Sequence, residues 1–261
     1  MRVLLIHAKI NYDNMEPLGA LSLATSLCRR GHEARVLDLF PGEDEAALGR
    51  IRAFEPQCIG YSIETPAYER ISRFHRQLRR VLPGAIYCAG GAHTTARPRA
   101  VLTSLDLDFV MLGEADETFP LALEKAARSN RSTMSTPGTA WLDNGVFHVR
   151  GPTPRVADLD SLPIIDRSLA YDYPFYQLPP GNIRGLVRPR TATLIASRGC
   201  SHSCAFCASH TVGGIRHRRR SISHLLTEIR YLETDYDVSA VYFADDSFTA
   251  DRDWVLEFCR A

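Results

Sequence analysis

The chain has 261 residues, 45% of them hydrophobic and 23% charged, with a formal net charge of +1. That length predicts two units rather than one, and the composition that of a globular chain with a sizeable core rather than a disordered one. The charge balance excludes a global pull toward nucleic acid or anionic lipid. The dense basic run "RHRRR" at 216–220 would have to recognise any such partner locally.

The N-terminus "MRVLLIHAKI" is too short in its apolar part for a signal-peptide core, and no segment approaches the length of a membrane span. A cytoplasmic protein without a membrane span is therefore expected. In a reducing compartment, seven cysteines with three of them clustered point to metal or redox chemistry rather than a disulfide framework.

In chain order, "VLLIHA" (3–8) has the pattern of a short buried strand. In "PLGALSLATSLCRRG" (17–31), Leu18, Leu21, Leu23, Leu27 and Cys28 form a helical stripe that Gly31 stops. The alternation continues with "EARVLDL" as strand, "EDEAALGRIRAFEP" as helix, "QCIGYS" as strand and "AYERISRFHRQLRRVLP" as helix. It closes with "AIYCAGG" as strand, "RPRAVLTSLD" as helix, "LDFVMLG" as strand and "DETFPLALEKAAR" as helix. Five strands separated by helices predict a doubly wound, five-stranded parallel sheet, Rossmann-like in type.

Ligands of such sheets bind beyond the carboxyl ends of the strands. Ser62, the pair Gly90 and Gly91 with His93 and Thr94, and Gly113 with Glu114 follow those ends. Glycine there lets a large ligand approach the backbone. A plain structural role competes with this: Gly90–Gly91 as a tight turn, and Glu114, Asp116 and Glu117 as first-turn acids complementing a helix dipole. No G-x-G-x-x-G or G-x-x-x-x-G-K-[ST] is present to specify a dinucleotide or nucleoside triphosphate. Cys28 falls on the helical stripe and Cys58 and Cys88 inside strands, which predicts buried structural thiols.

"TAWLDNGVFHV" (139–149) predicts a hairpin about Asn144–Gly145, a pair that tolerates the positive φ angles of a type I′ turn. The following proline- and aspartate-rich stretch lacks periodicity and predicts a surface linker. The expected organisation is a first domain over 1–130, hairpin and linker over 131–185, and a second domain from 186 to 261.

"TATLIAS" predicts a strand, with "RGCSHSCAFCASH" on the loop leaving it. The next helix is "ISHLLTEIRYLE", with Ile222, Leu225, Leu226, Ile229 and Leu232 on one face and Ser221 as N-cap. A second strand, "AVYFADDSF", carries Asp245 and Asp246 at its end, and a helix begins in "RDWVLEFCRA". This order predicts the start of a (β/α) barrel, whose chemistry gathers at the carboxyl ends of its strands. Cys200, Cys204 and Cys207, spaced C-x3-C-x2-C, have no obvious fourth partner. An iron–sulfur cubane with one open iron, a zinc site completed by His202, His210 or a distant group, and plain structural cysteines all remain open on spacing.

The segment "CSHSCAFC", with Phe206 in its aromatic place, resembles the signature of the radical S-adenosylmethionine (SAM) superfamily. "RRRSISHLLTEIRYL" resembles the same family through Arg218, Arg220, Ser221 and Glu228–Ile229, as does "VYFADDSFT". Upstream, "EPLGALSLATSLCRRGHEARVLDL", "GGAHTT", "GEADETF", "PGTAWLDNG" and "DLDSLP" resemble, in order, members with an N-terminal cobalamin (B12)-binding domain. The resemblance covers most of the chain.

It implies that Cys200, Cys204 and Cys207 ligate a [4Fe–4S] cluster and that SAM chelates the open iron. Phe206 would lie near the adenine, and Asp245 or Asp246 near the SAM amino group. Ser62, Gly90, Gly91, His93, Thr94, Gly113 and Glu114 would face cobalamin. The implied reaction cleaves SAM to a 5′-deoxyadenosyl radical and methylates an unactivated carbon of a small-molecule substrate. Electrons would come from a donor such as flavodoxin or ferredoxin. Cyclisation or rearrangement, a tRNA methylthiotransferase-like activity and a non-catalytic binding role are the alternatives. The sequence has "HAKINYDNMEPLG" after its first strand and no D-x-H-x-x-G, so neither His7 nor His93 is established as a cobalt ligand; a base-off form without a protein histidine and a domain that has lost cobalamin are the alternatives. Two barrel strands against about six in the family predict an incomplete barrel.

Overall fold

The computed structural model describes residues 1–10, 15–128, 135–151, 155–171, 190–202 and 204–261. The expected boundary near residue 185 and much of the expected linker lie outside the described residues. Alternation runs through β1 (Arg2–Ala8), α1 (Leu18–Arg29), β2 (Glu33–Leu39), α2 (Asp44–Phe54), β3 (Cys58–Ser62) and α3 (Tyr68–Val81). It continues through β4 (Ile86–Gly90), α4 (Ala92–Ala96), α5 (Pro98–Leu105), β5 (Phe109–Met111) and α6 (Thr118–Arg128). The short α4 is an addition to the expected set.

The five strands pair in parallel in the order β2-β1-β3-β4-β5, a doubly wound arrangement. Strand alternation sorts the side chains: Leu4, Ile6, Leu37 and Ile59 pack with Ile51, Phe74 and Leu102 on one face. Val3, Leu5, Val36 and Phe109 pack with Leu21, Leu27, Phe119 and Leu123 on the other. The hairpin β6 (Thr139–Asp143) and β7 (Val146–Arg150) turns through Asn144 at φ 49° and Gly145 at φ 79°, as the Asn–Gly pair predicts. It is part of the sheet. β6 pairs antiparallel with β5 and covers what would be an open edge, so the sheet has seven strands, five of them the expected parallel set.

After the linker, β8 (Thr191–Leu194) pairs in parallel with β11 (Ala240–Phe243) across the helix Ile222–Tyr236, the β-α-β opening of a barrel. Two-residue strands β9 (Ser197–Arg198) and β10 (Arg218–Arg219) pair antiparallel beside them. Ser221 caps the 222–236 helix, its hydroxyl accepting from the His224 N–H at 3.1 Å. Leu225 and Leu232 are buried as expected, and so is Glu228. No helix among the described residues is long and apolar enough to cross a membrane.

Candidate functional site

Between the carboxyl edge of the large sheet and the β8 segment lies a cavity of about 1000 Å³. From the sheet side it is lined by His7, Ser62, Gly90, Gly91, Gly113 and Glu114, and at its floor by Leu5, Gly60, Cys88 and Phe119. From the other side come Thr193, Arg198, Gly199, Ser209, Arg220, His224, Glu228 and Asp246. The chemistry-bearing ends of both parallel sheets therefore open onto one space.

The register explains the sheet wall. Asp38, His7, Ser62 and Gly90 form one rung across β2, β1, β3 and β4, and Val36, Leu5, Gly60 and Cys88 form another two residues deeper. Gly91 sits at φ +93°, where a Cβ would lie 2.8 Å from the Ile63 carbonyl oxygen and 2.9 Å from its nitrogen. The close approach at Gly91 is thus made by the protein's own backbone.

Two residues expected at this edge are turned elsewhere. The His93 ring engages the Thr65 hydroxyl at 3.0 Å and lies tilted against Tyr68 at 4.7 Å between ring centroids, away from the cavity, while Thr94 is wholly buried. Their short helix α4 directs both side chains off the lining. Burial and nearby Arg97 lower the His93 pKa.

The acids of "GEADETF" do not form the first turn of a helix, because α6 begins only at Thr118. Glu114 accepts from Arg218 Nη1 at 2.9 Å and from the Val156 N–H at 3.2 Å, and also pairs with Arg218 Nη2. Asp116 takes Arg198 in a two-pronged pair of 2.6 and 3.1 Å and accepts from the Ser22 hydroxyl at 2.5 Å. Burial raises the Asp116 carboxyl, but Arg198 overcomes it and holds the group below the ordinary carboxylate value.

A second ionic group lies deeper. Arg167, with no exposed surface, approaches Glu16 at 3.4 Å, donates to the carbonyls of Ile165 at 3.1 Å and Thr193 at 2.9 Å, and pairs with Glu228. Glu16 in turn accepts from the Thr193 N–H at 2.5 Å, and Glu228 meets Arg220 at 2.6 Å. Burial pushes Glu16 up; Glu228 is held below its ordinary value because Arg167 and Arg220 outweigh the burial that opposes them. These two groups weld the sheet to the β8 segment around the cavity. They also take up two arginines of the basic run, Arg218 with Glu114 and Arg220 with Glu228, while Arg219 pairs separately with Asp251 and Arg216 is exposed.

Gly199 at φ +85° turns the chain into the cysteine loop, and a Cβ there would stand 2.4 Å from the Arg216 carbonyl oxygen. The Cys200 N–H donates to Gly214 at 3.1 Å and the Cys207 N–H to Cys204 at 3.0 Å, which folds the loop back on itself. Cys204 is exposed, Cys200 and Cys207 half-buried, and Phe206 stands 92% exposed. The side-chain and backbone groups of Ser209 hydrogen-bond Cys207 and lower its thiol pKa. Among the described residues no three His, Cys, Asp or Glu side chains converge as a ready metal site. The donor set itself is chemically apt: three thiols on one loop, one of them biased toward thiolate. Of Cys28, Cys58 and Cys88, the last two are buried in the sheet with sulfurs 3.9 Å apart and the first is half-buried on its helix.

The two aspartates at the end of β11 divide. Asp246 lines the cavity and accepts from the Ser209 hydroxyl at 3.0 Å. Asp245 turns to the end of β8, accepting from the Ala196 N–H at 3.0 Å and the Ser197 hydroxyl at 2.5 Å, and burial raises its pKa. Its lone pairs are committed to the neighbouring strand.

Sequence reasoning missed Glu16, Asp38, Arg167, Arg198 and His224. Glu228, quoted only within a motif, offered a signal, since it interrupts the Leu225–Leu232 stripe with a charge. Arg167 offered none, lying in a stretch without periodicity.

Residues 4–123 match the family model of the B12 binding domain. Cytidylyl-2-hydroxyethylphosphonate methyltransferase of Streptomyces wedmorensis is 26% identical over 286 residues, covering 94% of this chain and 53% of its own length. The anaerobic magnesium-protoporphyrin IX monomethyl ester cyclase of Synechocystis sp. is 28% identical over 278 residues, covering 100% of this chain and 52% of its own. The chain thus spans about half the length of these curated relatives. Among solved structures, the radical SAM methyltransferase TsrM of Kitasatospora setae, with tryptophan and aza-SAM bound, shares the fold at a TM-score of 0.75. Its sequence identity is 16%, over 99% of this chain and 50% of TsrM. TsrM has also been solved with cobalamin and a [4Fe–4S] cluster.

Proposed function

We propose that this chain belongs to the radical SAM proteins that carry an N-terminal B12-binding domain, and that it serves methylation of an unactivated carbon in a small-molecule substrate; the B12-binding match over 4–123 and the fold shared with TsrM support the reading. The observation that carries the reading is the shared cavity, onto which the carboxyl edge of the B12-type sheet and the loop after β8 both open. Cobalamin would lie against Ser62, Gly90, Gly91 and Gly113, where the rung offers little bulk. Cys200, Cys204 and Cys207 would hold the [4Fe–4S] cluster, with Ser209 hydrogen-bonding Cys207 and favouring its thiolate. Phe206, exposed as no core aromatic would be, suits stacking on the adenine of SAM. Asp246 suits the SAM amino group, since Asp245 is already engaged.

When bound, these groups supply a carbon-centred radical and a transferable methyl group, with electrons delivered by a carrier of flavodoxin or ferredoxin type. The chain's own residues bind, orient and exclude water. The ion pairs of Arg198 and Arg167 fix the distance between the two cofactor beds. The functional division is a cobalamin bed in the first domain, whose sheet the 139–150 hairpin extends, a connecting region after that hairpin, and a cluster and SAM bed from 186 onward. Ring closure is the second reading, supported by the match of this chain to about half of the Synechocystis cyclase, 52% of its length. Recognition of tRNA has no comparable support, because Arg218, Arg219 and Arg220 are neutralised by carboxylates.

The test is electron paramagnetic resonance of the anaerobically reconstituted, dithionite-reduced chain with and without SAM. A cluster signal that changes with SAM and is lost in Cys204→Ala is the expected result. Zinc in place of iron, or a cluster signal indifferent to SAM, overturns the radical reading.

A further inference from the structure

The carboxyl edge of the sheet presents one side chain arranged as a metal ligand. The Nδ1–H of His7 donates to Asp38 Oδ1 at 2.7 Å, and the Asp38 side chain has no exposed surface. Lys9 Nζ stands 3.6 Å from the other carboxylate oxygen. With Nδ1 committed as donor, the lone pair on Nε2 is what the ring has left to offer. This carboxylate–histidine arrangement fixes tautomer and ring orientation in metal sites generally. Nε2 makes no hydrogen bond among the described residues, 15% of the side chain remains accessible, and the residue lines the cavity. Gly90, two strands along the same rung, adds no side chain between His7 and the open space.

Resting on the reading that cobalamin binds here, we propose that His7 Nε2 supplies the axial nitrogen to cobalt from within the first strand. It would replace the loop histidine of the absent D-x-H-x-x-G. The Nε2 lone pair forms the one new bond, to cobalt, at the axial position left by water or by the cofactor's own nucleotide base. Asp38 is the positioning residue. His93, the other histidine near this edge, engages Thr65 and lies off the cavity.

The test loads the full chain anaerobically with cobinamide, which carries no nucleotide base, and reads the paramagnetic resonance of its Co(II) state after gel filtration. Each cobalt line splits into three from one axial nitrogen, and into two when histidine is labelled with nitrogen-15. His7→Asn removes the splitting while keeping an N–H for Asp38, so the fold has no new buried orphan; His93→Ala leaves the splitting intact. Asp38→Asn weakens cobinamide affinity by roughly 10–100-fold, the effect usual for an outer partner of a metal-binding histidine. Retained cobinamide without splitting, or splitting that survives His7→Asn, overturns this ligand alone. A chain that retains neither cobinamide nor cobalamin overturns the B12 reading together with it.

Discussion

Strands β1 to β5 lie between two apolar layers, with Leu4, Ile6 and Ile59 sealed on one face and Val3, Val36 and Phe109 on the other. Among the described residues, the β8–β11 pair and its 222–236 helix gather a smaller core: Ala192, Leu194, Leu232 and Val238 buried, with Ile229, Tyr231, Tyr236, Val241 and Phe243 partly buried against them. What the second region lacks in buried area it draws from charge: Arg167 and Glu228 bind it to Glu16, and Arg198 and Arg218 bind it to Asp116 and Glu114. Area burial is non-directional, whereas paired ions demand geometry. The sheet can therefore stand on its own packing, while the cysteine loop is positioned through contacts with the sheet.

The largest break in that contrast comes from Arg167→Met. It leaves the buried Glu16 without its cation while Glu228 keeps Arg220, and removing one partner of a buried pair costs about 3–5 kcal/mol. Amide exchange should accelerate over residues 191–243 and remain slow in β1 and β3. Equal acceleration in both regions would mean that the sheet also depends on the junction. Asp116→Asn should act in the same direction at about 2 kcal/mol, because Arg198 keeps some access to solvent and can rehydrate.

The acid response sharpens the same point. Asp116 has a folded pKa below its ordinary 3.8, so its contribution is complete above that value and disappears as pH falls through the folded value. Below pH 3.8 the wild-type junction should loosen while the Asp116→Asn chain, already without the pair, changes less. Exchange measured on both chains across that range checks the sign.

Much of the sheet was legible because its signals are local. Leu4 and Ile6 against Val3 and Leu5 reveal strand alternation, and Asn144–Gly145 announces its turn. That the hairpin extends the sheet was not legible, since edge pairing depends on where β5 leaves an open side. The cysteine spacing and the carboxyl-end residues Ser62 and Gly90 were visible for the same local reason. The separation of Asp245 from Asp246 was not: adjacent residues face different neighbours, and only the end of β8 decides which carboxylate is consumed. Arg167 and Asp116 were misjudged or unseen because their partners are 61 and 82 positions away. Nothing in their own windows marks them.

The smallest effect tests whether the second region is short of packing down to its helices. α1 has no side-chain cap and holds its first turn through buried Leu18, Ala20 and Leu21, whereas the 222–236 helix has Ser221 accepting from the His224 N–H. Ser221→Ala removes that acceptor and should cost about 1 kcal/mol, the usual value of such a cap. The Ser221 N–H would still donate to Asp160, while the hydroxyl's contacts with Asp160 and Ser223 are lost together with the cap. Exchange should rise in the first turn, at His224 and Leu225, and the same measurement on α1 should show no change. If Ser221→Ala leaves the first turn as protected as before, Leu225 and the Arg220–Glu228 pair hold it without help, and the region is better packed than its four-residue core indicates.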